Sequence, residues 1–167
     1  TSRAVTKALS SQVGETANIA VLDGDQAVYL DQVAGTSVMS FRSWLGQRVP
    51  THASATGKAL TAWLDPAGRA AARPRTLVRL TDRTITSVKA LEADLAATRE
   101  RGYSLAVEEL EVGLAAIAAP IRDSHGTVVA VVAVSGPTFR VTPDRYDEIG
   151  QAVVAAAQQL SGTGDFT

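Results

Sequence analysis

The sequence has no cysteine, one methionine and only 5% aromatic residues among its 167 positions. The lack of cysteine excludes a disulfide framework, a thiolate metal site and a cysteine nucleophile. The formal net charge of −1 argues against strong nucleic-acid binding by these residues, because such binding usually needs a basic face. The longest apolar runs, such as residues 128–134, are far shorter than the about 20 residues that span a bilayer. We therefore expect a cytoplasmic protein with no membrane partner.

Length and composition suit one globular domain. The chain is 46% hydrophobic and 20% charged, which is close to ordinary globular usage. A domain of this size removes about 70% of its unfolded surface from water, so it can hold a core without covalent staples. The sequence begins at Thr1 and not at methionine, and we expect it to be a fragment of a longer polypeptide.

Helical spacing of apolar residues and capping side chains predict the helices. Apolar residues recur every four positions over residues 3–13, which is typical of a helix with one buried stripe. Ser54 is the expected N-cap of a helix over residues 55–64. Further helices are predicted over residues 88–101 and 143–160, with a short helical segment beginning at Pro66.

Turn residues between β-rich runs predict the strands. Asp23 and Gly24 indicate a hairpin between strands over residues 17–22 and 27–33, because glycine accepts the positive φ of a tight turn. Further strands are predicted over residues 37–41, 103–107, 113–121 and 128–135. Hairpins adjoin one another without strict βαβ alternation. The predicted fold class is therefore α+β, an antiparallel sheet of about six strands flanked by helices.

Gly57 and Lys58 resemble part of a phosphate-binding loop, but the pattern is incomplete. The loop needs glycine at the position of His52 and serine or threonine at the position of Ala59. The small residues from Ser54 onward nevertheless leave the first N–H groups of a helix accessible, and these groups favour an anion such as a carboxylate. The alternative is a helix start that merely packs closely against the sheet.

Two further patterns bear on catalysis. Ser135 lacks the glycine two positions earlier that a nucleophile elbow requires, so the sequence does not favour a hydrolase. Glu108, Glu109 and Glu111 form an acidic run without a second acidic or histidine cluster at ligand spacing. We interpret these three side chains as solvated loop carboxylates, and the sequence predicts neither a metal site nor a cofactor.

Two longer stretches carry a family resemblance. One is residues 51–60, with the letters THASATGKAL. The other comprises RGYS at 101–104, EE at 108–109, GL at 113–114, AAPI at 118–121 and VSGP at 134–137. Together they resemble the C-terminal effector-binding domain of IclR-type bacterial transcription regulators, over about residues 3–160.

The resemblance implies a GAF-like fold with a ligand pocket on one face of the sheet. Residues 1–13 would be a connector helix from a missing N-terminal winged helix-turn-helix domain, and residues 14–167 the effector-binding domain. Members of this family bind small organic acids, act as homodimers or homotetramers, and contact DNA only through that N-terminal domain. The family domain is a sensor without a catalytic apparatus.

Ten pocket positions carry over from the family, one residue at a time. They are Phe41, Val49, Ser54, Ala55, Thr56, Ala106, Leu114, Ala116, Ala133 and Ser135. Some relatives place Asp, Cys and Ser where this chain has Ala106, Ala116 and Ala133, whereas Ser135 keeps its hydroxyl. We therefore expect a roomier and less polar pocket that suits a bulkier or more apolar acid.

The predicted function is ligand sensing by a transcriptional regulator whose effector is a small organic acid, a carboxylate with or without an aromatic ring. One alternative is a GAF-like enzyme or enzyme-regulatory module that acts on a small acid, which turnover would reveal. Another is an oligomerisation domain with a vestigial pocket, which binds no ligand. The apolar stripe of Val5, Leu9 and Val13, on a helix expected to have lost its natural neighbour, predicts self-association.

Overall fold

The computed structural model describes residues 2–35 and 43–162. The strand predicted over residues 37–41, and with it Phe41, lies outside these described residues. The helices are α1 (Ser2–Val13), α2 (Ala55–Thr61), α3 (Pro66–Ala72), α4 (Val88–Arg101) and α5 (Tyr146–Leu160), with a 3₁₀ turn at Pro143–Arg145. The strands are β1 (Thr16–Asp23), β2 (Gln26–Val33), β3 (Arg48–Pro50), β4 (Ser104–Val107), β5 (Leu114–Arg122) and β6 (Val128–Pro137).

The strands form one sheet in the order β3-β2-β1-β6-β5-β4, and the paired neighbours are antiparallel. Hairpins join β1 to β2 and β5 to β6. In the centre of the sheet, β1 pairs with β6, so that Ala17 lies opposite Val134. This pairing brings the first strand of the chain beside the last one. The predicted α+β class and the antiparallel sheet flanked by helices are thereby confirmed.

The two faces of the sheet hold separate cores, because successive side chains of a strand point to opposite faces. Ile117, Val132 and Val134 belong to a core covered by α1 and α5. Ala118 and Ala133, on the opposite face of the same strands, belong to a second core covered by α2. Both cores contain alanines, but the isoleucines and valines of β5 and β6 lie mainly in the first core, and Ala116, Ala118 and Ala133 face α2.

Several local sequence signals form the predicted structures. Ser54 caps α2 by accepting a hydrogen bond from the N–H of Gly57, and Ser87 caps α4 by accepting one from Ala90. Gly102 ends α4 with a φ of 90°, the left-handed conformation that favours glycine. The helix predicted over residues 143–160 is divided into the 3₁₀ turn and α5.

Helix α1 packs within its own domain. Leu9 and Val13 are buried in the same core as α5, and Val5 packs against that core. The apolar stripe of α1, from which self-association is predicted, therefore packs against residues of the same chain. Arg140, which follows β6, donates two hydrogen bonds to the buried carboxylate of Glu15, at 2.9 and 3.1 Å. This ion pair ties the end of α1 to the sheet.

We expect Gly57→Ala to destabilise the fold. A Cβ at Gly57 would lie 2.3 Å from the backbone Cα of Thr51, so α2 or the preceding loop would have to move. Gly→Ala inside a helix ordinarily stabilises by about 0.5–1 kcal/mol, whereas overpacking costs about 1–3 kcal/mol. Gly68→Ala in α3 is the matched control, because its new Cβ would meet side-chain atoms of Asp65 and Leu64. Denaturant unfolding of both variants should show the larger loss for Gly57→Ala.

Candidate functional site

A small cavity lies between α2 and the sheet face that carries Ala118 and Ala133. Its lining residues are Tyr29, Trp44, Ala53, Ser54, Ala55, Ala106, Leu110, Leu114, Ala116 and Ser135. Of the predicted pocket positions, this cavity brings together Ser54, Ala55, Ala106, Leu114, Ala116 and Ser135. The structure therefore assembles one site from four separate parts of the chain.

Three of the remaining predicted positions are buried without lining the cavity. Val49 and Ala133 are buried in the core beneath α2. Thr56 is also buried, and its hydroxyl lies 3.2 Å from the hydroxyl of Tyr29. Phe41 is outside the described residues.

The start of α2 presents polar groups beside an apolar wall. The hydroxyl of Ser54 donates to the carbonyl of Pro50 at 2.9 Å and accepts from the N–H of Gly57 at 3.1 Å, which fixes the helix start. The N–H groups of Ala55 and Thr56 precede the helical hydrogen-bond ladder. Because α2 has only seven residues, these local N–H groups matter more than any macrodipole.

An aromatic wall closes the cavity toward β2. The rings of Tyr29 and Trp44 lie 5.5 Å apart between centroids, with their planes tilted by 35°. The N–H of Trp44 donates to the side-chain oxygen of Gln32 at 2.7 Å, which holds the loop against β2. The sequence alone does not predict Tyr29, Ala53 or Leu110 at the pocket, and it favours a core position over a ligand wall for Trp44. Tyr29 lies on the same inward face of β2 as Ala27, so a period-two analysis of that strand would have found it.

Lys58 is the most buried charged side chain near the site, with 0% of its side chain exposed. Its Nζ donates to a carboxylate oxygen of Asp94 at 3.1 Å, to one of Glu109 at 2.9 Å and to the carbonyl of Leu105 at 2.7 Å. These three acceptors satisfy the three donors of an ammonium group. The ion-pair cluster of Lys58, Asp94 and Glu109 joins α2, α4 and the segment after β4.

The interpretation of Glu109 as a solvated loop carboxylate is wrong. Only 13% of its side chain is exposed, since it turns inward to meet Lys58. Burial raises the pKa of Glu109 above its ordinary value, although the positive charge of Lys58 opposes that rise. Glu108 is more accessible, but it too is engaged, because its carboxylate accepts a hydrogen bond from the N–H of Gly113 at 3.1 Å.

Residues 108–113 form a segment that covers one side of the cavity through Leu110. Its first residue, Glu108, has a φ of 57°, which is unusual for a residue with a side chain. The hydroxyls of Thr81 and Thr84 donate to the carbonyls of Glu108 and Glu109. The segment is therefore held both by the loop before α4 and by Lys58.

The described residues offer no arrangement typical of catalysis. Ser135 lines the cavity, but the Nε2 of His52 lies 2.9 Å from the carbonyl of Val78, and His125 is exposed in the turn between β5 and β6. Within residues 2–35 and 43–162, no cluster of three histidine or acidic side chains has the geometry to hold a metal ion. No helix in the same ranges has the length and apolar character needed to cross a bilayer.

The fold and the buried cavity define a ligand-binding α+β domain, and comparison with known proteins gives its family. The sequence profile of the family "Bacterial transcriptional regulator IclR C-terminal" matches residues 1–162, and the chain belongs to this family. It is 40% identical over 156 residues to the transcriptional repressor IclR of Escherichia coli K12, covering 92% of this chain and 57% of that protein. It is 38% identical over 160 residues to the acetate operon repressor of Salmonella typhimurium LT2, covering 94% and 58%.

Solved structures give the same assignment. The C-terminal domain of the E. coli transcriptional regulator KdgR has a TM-score of 0.84 at 34% identity, with 96% of this chain and 93% of that one covered. An inducer-binding domain of PobR from Acinetobacter, a double mutant in complex with 3-hydroxybenzoic acid, has a TM-score of 0.86 at 30% identity, covering 95% and 94%.

Two conclusions follow from these relatives. They are named as transcriptional regulators and repressors, so this domain belongs to a regulator and not to an enzyme. The chain spans less than two thirds of the length of the curated relatives it matches.

We expect Lys58→Met to destabilise the fold strongly. It would leave the partly buried carboxylates of Asp94 and Glu109 without their cation, and removing one partner of a buried pair costs about 3–5 kcal/mol. Glu109→Gln is the matched variant, because it preserves the pair between Lys58 and Asp94 and removes a carboxylate that burial disfavours. Its loss in the free energy of unfolding should be clearly smaller, as measured by denaturant titration.

Glu109→Gln should also change how the stability of the fold depends on pH. Because the pKa of Glu109 is raised in the folded chain, its contribution to stability is fully present below the ordinary carboxyl pKa and is lost as pH rises through the raised value. Glu109→Gln should therefore flatten the fall in stability over that mildly acidic range. A pH dependence identical to that of the wild type would contradict the assigned role of Glu109.

Proposed function

We propose that this domain senses a small organic acid that occupies the cavity between α2 and the sheet. The observation that carries the proposal is the cavity itself, where polar groups at the start of α2 face a largely apolar lining. The proposed ligand is a small acid, with a short chain or a single ring.

The ligand's carboxylate is placed at the start of α2. The N–H groups of Ala55 and Thr56 are donors there, and the small side chain of Ala55 permits close approach to the backbone. The apolar body lies against Leu114 and the aromatic wall of Tyr29 and Trp44. The complex of the PobR domain with 3-hydroxybenzoic acid supports an aromatic acid as one candidate.

The alanines near the cavity shape its selectivity. Ala106 and Ala116 line it, and Ala133 is buried just beneath. Methyl groups supply space but no hydrogen bonds, so a polar ligand edge at these positions would lose its hydration without replacement. The proposal therefore favours an acid that presents an apolar edge to β4 and β5.

Regulation is proposed to act through the complete protein. The effector would favour one arrangement of a homodimer or homotetramer in the cytoplasm and so change the DNA affinity of an N-terminal DNA-binding domain. Such coupling requires different effector affinities in the two arrangements. Segment 108–113 is the element best placed to respond, since it touches both the cavity and the ion-pair cluster.

A thermal-shift screen of aromatic and short-chain carboxylates tests the proposed ligand class. An effector present at a hundred times its Kd should stabilise the fold by about 2.7 kcal/mol, which raises Tm by roughly 5–10 °C for a domain of this size. Ala55→Glu should abolish the shift by placing bulk and negative charge at the carboxylate position. Ala116→Leu should abolish it by filling the cavity.

Ala96→Glu is the matched control, because it introduces the same side chain on an exposed face of α4 and should leave the shift intact. Circular dichroism establishes that each variant is folded. A folded Ala116→Leu chain with unchanged affinity would show that the cavity is not the site. A wild-type chain that binds no acid in the screen would favour an oligomerisation domain with a vestigial pocket.

The isolated 167-residue chain should not bind DNA with sequence selectivity. Its net charge of −1 provides no general attraction to phosphates. Fluorescence anisotropy with operator-length duplexes at physiological salt should show only weak, salt-sensitive binding. Submicromolar binding to one sequence over a scrambled duplex would contradict this expectation.

A further inference from the structure

Asn18 has a buried polar side chain, and none of the interactions described above accounts for its burial. It lies in the middle of β1 with 1% of its surface exposed. Among residues 2–35 and 43–162, neither its Nδ2 nor its Oδ1 has a hydrogen-bond partner. Burying both a donor and an acceptor without partners costs free energy, and native proteins rarely tolerate it without a functional reason.

Strand alternation places Asn18 on the same face of the sheet as the cavity. Its neighbours Ala17 and Ile19 belong to the core under α1 and α5, whereas Ala20 belongs to the core under α2. The side chain of Asn18 therefore points to the α2 side, like that of Ala20. Ala133 of β6, which pairs with Asn18, lies in the same core.

One lining residue of the cavity lies diagonally across from Asn18. Ser135 is two residues beyond Ala133 along β6, so it lies on the same face of the sheet, and it lines the cavity. On the other side, Asn18 pairs with Gln32, whose side-chain oxygen already accepts the N–H of Trp44. Asn18 therefore lies on the sheet face that α2 covers, beside Ser135 of the cavity lining, and an effector reaches its amide only by extending past that lining.

We propose that Asn18 recognises a second polar group of the effector, at the end away from the carboxylate. This inference rests on the proposed function and narrows its ligand class to hydroxy acids. A hydroxyl both donates and accepts a hydrogen bond, so one hydroxyl near the amide can donate to Oδ1 in one orientation or accept from Nδ2 in another. Together with the hydroxyl of Ser135, it can satisfy both atoms of the amide. An acid without such a group would leave the amide of Asn18 unpaired.

The test compares matched acids by isothermal titration on the 167-residue chain. The probes are benzoate with 3- and 4-hydroxybenzoate, and butyrate with 3-hydroxybutyrate. The wild type should bind a hydroxylated member about tenfold more tightly than its parent acid, which is the effect of about one net hydrogen bond. Asn18→Leu, which is similar in size and apolar, should lose this preference and retain the affinity for the parent acid.

Two measurements do not depend on the affinity of the variant. In the wild type, the side-chain NH₂ resonances of Asn18 should shift when the hydroxylated acid is added and change less with the parent acid. In the absence of ligand, Asn18→Leu should unfold at the same denaturant concentration as the wild type or at a higher one. Clear destabilisation of the ligand-free variant would show that the amide is already satisfied and would overturn the inference.

The outcomes separate this inference from the function on which it rests. Equal binding of hydroxylated and parent acids by the wild type would overturn the role of Asn18 and leave acid sensing intact. Failure of every acid to bind would overturn both. A hydroxyl preference that persists in folded Asn18→Leu would assign the selectivity to another residue and would also overturn the role of Asn18.

Discussion

The buried ammonium group of Lys58 is the interaction on which the architecture of the site depends. Its three hydrogen bonds hold α2 against α4 and against the segment that follows β4. Since α2 forms one wall of the cavity and Leu110 of that segment forms another, the cluster sets their separation. Burial raises the pKa of Glu109, because the positive charge of Lys58 does not offset the whole cost of removing this carboxylate from water.

The second constraint is the unequal size of side chains on the two faces of the sheet. β5 and β6 direct Ile117, Val132 and Val134 into the core under α1 and α5, whereas three of the residues that they direct toward α2 are the alanines Ala116, Ala118 and Ala133. Side chains that small do not reach across to a helix standing at an ordinary packing distance, and space remains. The cavity is therefore a consequence of how residue sizes are distributed between the faces, with α2 held in place by Lys58.

Membership of the IclR C-terminal family and the geometry of the cavity point to the same kind of activity. Ligand binding there would act on elements that are already coupled, because the lining of the cavity and the ion-pair cluster share α2 and residues 108–113. The unpaired amide of Asn18 is a buried polar group on the same sheet face, next to the lining of the cavity. An effector that reached from the start of α2 to this amide would contact both the sheet and the helix that covers it.

The sequence by itself determined the features that arise from neighbours along the chain. Hairpin turns, the caps at Ser54 and Ser87, the end of α4 at Gly102 and the α+β class all follow from local backbone preferences. Six residues that line the cavity were also named through the family resemblance and not through periodicity, and their role in ligand binding stays a prediction. Only the tertiary structure decided that Glu109 turns inward to Lys58, 51 residues away in sequence, and that the stripe of α1 packs on its own domain. Contacts of this kind depend on which surfaces the tertiary fold brings together. A local pattern of residues does not determine them, because the partners are far apart in sequence.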